Sequence, residues 1–159
     1  MAIRQIRQEG DEILKKKSRE VEKIDEKIKE LIKDMLDTMY KFNGVGLAAV
    51  QVGMLKQVIV IDIEDGNGPL VIINPKIKSQ KGIQEVEEGC LSFPNQYGKI
   101  VRPKEITIEA LDENGKLRTI KGKDLLAQAI SHEMDHLNGE VFVDKVIAGT
   151  LQYVEPEKK

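Results

Sequence analysis

LLAQAISHEMDHLNG, residues 125–139, decides how the rest of this chain is read. Asp124 stands where a helix N-cap belongs and Gly139 where a helix stops, so the spacing predicts a helix from Leu125 to about Leu137. The chain has only two histidines, and both fall inside this stretch as His132-Glu133-Met134-Asp135-His136. Residues four apart stack on one helix face, so both imidazoles can reach one ion. Glu133 sits about 100° further round, beside the water such an ion would bind. Leu125 and Ala129 continue the histidine stripe, so this face is expected to point inward. Two packed or solvated histidines are the plainer alternative, but the i, i+4 spacing with Glu between them favours a metal.

A catalytic site of this type takes three protein ligands and keeps a position open. The extended motif with a third His six residues on fails, because that position is Phe142, although Gly139 fits. A downstream carboxylate would have to be Glu140, Glu155 or Glu157, with no second long helix to carry it. The remaining soft ligand is Cys90, the chain's one cysteine, in EEGCLSFP (87–94). By itself it would read as a small buried hydrophobe; beside H-E-x-x-H it completes a Cys and two His set.

Outward from these segments, apolar residues at Val21, Ile24, Ile28, Leu31, Ile32, Met35, Leu36 and Met39 predict a long N-terminal amphipathic helix over 21–40, ending at Asn43-Gly44. QVIVIDI (57–63) and LVIIN (70–74) read as strands, and EITIEAL (105–111) with KLRTI (116–120) as a hairpin across Asp-Glu-Asn-Gly. The fold class expected is α+β: mostly antiparallel sheet packed around a central C-terminal helix carrying HEMDH. Residues 44–51, GVGLAAVQ, formally contain G-x-G-x-x-A, but a helix precedes the glycines where a dinucleotide site needs a strand.

The chain has 159 residues, 40% hydrophobic and 33% charged, with a formal charge of -2. Length and composition suit one globular domain, here 1–149, followed by a short polar tail, 150–159. The charge balance argues against direct nucleic-acid binding, and no apolar run suits a membrane span or a secretion signal. A cytoplasmic location is expected.

GVGLAAVQ, EEGCLS and HEMDHLNG together resemble the three ordered motifs of the peptide deformylase family, and the likeness runs from the N-terminal residues through about Gly149. The resemblance implies removal of the formyl group from nascent polypeptides that begin with N-formylmethionine, with release of formate. It implies one divalent metal, natively ferrous iron with zinc, nickel or cobalt accepted in preparations, on Cys90, His132 and His136. It makes Glu133 the general acid/base, and Gln51 (side-chain amide) and Leu91 (backbone N–H) the donors to the developing oxyanion. Val45, Val86, Leu125 and Ala129 match the pocket for the methionine side chain, while backbone around Val45, Gly46 and Gly89 would hold the peptide as an added strand. Ser131 stands where Gln is frequent in the family and Tyr97 at a pocket-rim position where some members carry Arg, so substrate contacts are expected to differ there. The tail is short and carries an acidic pair, which does not suit tail-mediated docking on the ribosome and leaves transient proximity. A zinc endopeptidase and a closed structural metal module are the competing classes.

Overall fold

The computed structural model describes residues 2–154. Its first long element, α1 (Glu26–Lys41), begins where Asp25 accepts the Ile28 N–H at 3.0 Å. The apolar periodicity starts earlier, at Val21, but Val21 lies in extended chain. Its N–H and carbonyl are both taken by the Asn74 side-chain amide at 2.8 Å, and Asp25 then starts the helix. Val21 and Ile24 therefore join the helix's apolar face without being helical. At the other end Asn43 is left-handed (φ 57°) and the Gly44 N–H returns to the Met39 carbonyl at 2.9 Å.

Strands β1 (Gly46–Ala48), β2 (Val58–Ile61), β3 (Leu70–Cys90), β4 (Phe93–Leu111) and β5 (Leu117–Lys123) follow one another across a sheet in chain order, every neighbour antiparallel. The pair β3–β4 is much longer than the sequence reading allowed. Pro75 and Gly82 interrupt its β-branched pattern, and residues 76–83 are exposed throughout, so no inside–outside alternation marks them. The register shifts three times along the pair, last between Gly89 and Cys90.

Helix α2 (Leu125–Leu137) packs across β1, β4 and β5. Ala127, Ile130, Met134 and Leu137 meet Ile59, Ile61, Ile72, Ile106 and Ile108 in one apolar cluster, while α1 closes a second over Val58, Val60 and Ile73. Each large aliphatic side chain so enclosed contributes about 1.5–3 kcal/mol. Asp124 does not cap α2: its backbone is left-handed (φ 54°) and its carboxylate instead pairs with Lys104 at 2.9 Å. Gly139 ends the helix at φ 75°, and a Cβ there would come within 2.5 Å of the Lys15 carbonyl oxygen.

The expected polar tail is in part structured. Thr150 is tied to Lys99 and Ile147, and β6 (Gln152–Tyr153) pairs with Gln96 and Tyr97 of β4. The acidic pair beyond it lies outside the described residues. The fold is thus α+β, two α-helices with an antiparallel sheet among the described residues, and none of its helices is long and apolar enough to cross a membrane.

Candidate active site

Helix α2 stacks His132 and His136 with ring centroids 4.9 Å apart, both 7% exposed or less. Cys90, last residue of β3 and just past the final register shift, points its thiol at them. Donor atoms of Cys90, His132 and His136 all lie within 4.8 Å of one another, with Cys90 Sγ and His136 Nε2 at 3.4 Å. Two donors held about 2.1–2.3 Å from one tetrahedral ion stand about 3.6 Å apart, so this set fits a shared cation.

The Nδ1 edge of His132 is taken by the Glu88 carboxylate, which leaves Nε2 as the atom free to ligate. Glu88 is 5% exposed and held in turn by Arg102, whose Nη1 also reaches Asp135 at 2.5 Å. Asp135 continues to Lys145 at 3.1 Å and Lys145 to Glu140 at 3.1 Å, so an ordered charge chain leads from His132 to the surface. Glu88 carries no role in the reading of the sequence. In an extended strand only one of the neighbours Glu87 and Glu88 can face inward, and that alternation was the available signal.

Burial works against the charge on Glu88, yet His132 and Arg102 outweigh it and hold the carboxyl at about 2. Burial wins at Glu133, 4% exposed, where His132 and Arg102 only partly oppose it and the carboxyl is pushed up to about 7. Burial, then the neighbouring His132, keeps His136 well below the usual imidazole range. Burial also disfavours a charge on His132, but Glu133, Cys90 and Glu88 overcome it and raise the ring well above that range. The anionic groups at this spot favour a positive charge.

Glu133 Oε2 lies 4.0 Å from His132 Nε2, and its Oε1 has no partner among the described residues. Gly46 makes room for it: a Cβ on Gly46 would stand 2.7 Å from Oε2. Gln51 is fully enclosed, with Oε1 accepting the Ala48 N–H at 2.9 Å. Its Nε2 therefore faces Ser92 Oγ at 3.1 Å and Cys90 Sγ at 3.5 Å.

These groups open on a cavity of ≈ 980 Å³ whose lining includes Val45, Gly46, Gln51, Gly89, Cys90, Leu91, Leu125, Ala129, His132 and Glu133. Val45 and Leu125 are more than two-fifths exposed at its mouth. Val86 is not in the lining: it packs against the cluster of Leu14, Phe93, Ile100, Val141 and Phe142. Tyr97 covers Gly89, where a Cβ would meet its ring at 2.9 Å. Residues 5–8, unread at the sequence level, form part of the wall.

An α+β chain that gathers a thiol, two helix-borne imidazoles and a buried carboxyl beside an open cavity belongs to the class of metal-dependent hydrolases. The family model for polypeptide deformylase matches residues 3–151. The peptide deformylase of Finegoldia magna is 49% identical over 156 residues, 98% of this chain and 96% of that one. That of Acetivibrio thermocellus is 54% identical over 147 residues, 92% and 85% of the two chains. Among solved structures, peptide deformylase from Legionella pneumophila superposes with a TM-score of 0.89 at 48% identity, covering 92% of this chain and 88% of that one. The Synechococcus elongatus enzyme, in complex with actinonin, gives 0.87 at 44% identity, covering 91% and 79%. The chain belongs to the polypeptide deformylase family, whose members remove the formyl group from N-terminal formylmethionine.

Proposed function

We propose that this chain deformylates newly made polypeptides through one divalent metal on Cys90, His132 and His136, with Glu133 carrying the proton. The observation that supports it most is the convergence of those three donors within 4.8 Å, next to a buried carboxyl raised to about 7. Two imidazoles and a sulfur suit ferrous iron as the native ion, with zinc, nickel or cobalt able to replace it. When bound, the cation supplies Lewis acidity to the formyl oxygen and lowers the pKa of a water.

Glu133 takes the proton of the attacking water and returns it to the departing amine. A carboxyl near neutrality can do both. The Gln51 amide and the Leu91 N–H stabilise the developing oxyanion, each donor worth about 3 kcal/mol. Glu88 fixes the His132 tautomer so that Nε2 stays a ligand. Val45, Leu125 and Ala129 receive the methionine side chain, and backbone at Val45, Gly46 and Gly89 pairs with the peptide as an added strand. Helix α2 is the scaffold of a single catalytic domain over residues 1–149. We place the enzyme in the cytoplasm, acting on nascent chains in passing proximity to the ribosome rather than through nucleic acid or membrane.

The test is formate release from an N-formylmethionyl peptide by anaerobic, iron-loaded protein, with Glu133→Gln and an internally cleavable peptide alongside. Formate release that drops at least about 10²-fold in the variant, with peptide bonds intact, is expected. Internal cleavage, or a Glu133→Gln variant as active as the parent, would overturn the proposal.

A further inference from the structure

Gln51 is fixed at three points, two on its side chain and one on its backbone, and the side-chain contact with Ser92 has no part in the chemistry described above. The Ala48 N–H holds its oxygen at 2.9 Å, which turns the NH2 group toward the site. Its backbone carbonyl accepts the Arg7 N–H at 2.7 Å. One amide hydrogen goes to Ser92 Oγ at 3.1 Å, leaving the other to face Cys90 Sγ and the reacting centre. Ser92 is fully buried, and its own carbonyl accepts the Glu9 N–H at 2.8 Å. Residues 7–9 thus strap together the turn bearing Gln51 and the turn that carries Leu91.

We infer that Ser92 is a positioning residue: its hydroxyl takes one hydrogen of the Gln51 amide and so aims the second at the substrate oxygen. The inference rests on the reading of Gln51 as an oxyanion donor. A substrate-side donor locked in one rotamer needs no reorganisation when charge develops, which raises kcat without changing ground-state binding. With Ser92→Ala the Ala48 N–H alone restrains the last torsion of the amide, which is intrinsically broad, so its aim loosens.

The experiment is a double-mutant cycle on the iron-loaded enzyme, with Ser92→Ala, Gln51→Ala and the pair, reading kcat, KM, bound metal and Tm. Expected are a fall in kcat of about tenfold in Ser92→Ala with KM within about twofold, one of about 10²–10³ in Gln51→Ala, and no further loss in the pair. An equal kcat loss from Ser92→Ala in both backgrounds, or a rise in KM alone, would mark a merely structural serine and overturn the inference. A Gln51→Ala enzyme with unchanged kcat removes the donor reading itself, and the positioning role with it; that result differs from an impaired Gln51→Ala paired with a silent Ser92→Ala, which sinks the serine alone.

Discussion

Gly46 marks how closely the site is fitted. Its missing side chain is the space that Glu133 Oε2 occupies, and a methyl group 2.7 Å from that oxygen requires one of them to move. Glu133 lies on α2 in the buried interior, so the carboxyl rather than the helix gives way. Gly46→Ala is expected to cost about 10²-fold in kcat, the order associated with about 1 Å of misplacement at a reacting group, while metal content stays at the parental level because the atoms nearest the new methyl all belong to Glu133. Metal analysis beside steady-state rates checks it, and parental kcat with a full complement of metal would show that Glu133 does not need this space. At this scale HEMDH was legible because two histidines four apart with Glu between them carry their geometry in their spacing. The closeness of Gly46 and Glu133 was not, since nothing in the intervening chain encodes how β1 meets α2. Glu88 was half legible: strand alternation says that one of two adjacent glutamates faces inward but does not say which.

Helix starts show the same contrast one level up. The sequence places Asp124 as a helix cap and Asp25 inside a helix that starts at Val21, yet it is Asp25 that accepts the backbone N–H three residues on and Asp124 that does not. Asp124 sits in a tight left-handed turn leaving β5, where its carboxylate meets Lys104 instead of the helix. Asp25→Ala should therefore lower stability by about 1 kcal/mol, whereas Asp124→Ala should leave the denaturation midpoint where it was. Urea titration of the two variants decides it; equal losses would mean that Asp124 supports α2 in solution. The first helix was visible through its periodicity, though set to start at Val21 instead of Glu26, and the second through Gly139 and the histidine spacing. Most of β3 and β4 was not, because residues 76–83 are exposed and broken by Gly82. Backbone pairing with the partner strand, a non-local interaction, forms that hairpin despite a weak local pattern.

For the molecule as a whole, the question is what a bound cation adds to a fold already held by three apolar clusters. Cys90 ends β3 and the histidines lie on α2, so an ion on all three would tie the tip of the long hairpin to the buried helix. A ligand present at 100 times its Kd adds about 2.7 kcal/mol to a folded state that alone binds it. At this chain length that corresponds to a rise in Tm of about 5–10 °C. A closed structural module behaves differently, since without its metal there is little else to fold around. Chelation is therefore expected to lower Tm by that margin while the far-ultraviolet circular dichroism at room temperature is unchanged, and Cys90→Ala should be folded yet insensitive to added metal. Unfolding on chelation at room temperature would return the centre to a structural role. A Cys90→Ala variant that keeps the full metal-dependent shift would remove the thiol from the ligand set, and with it the distinction between this site and that of an endopeptidase.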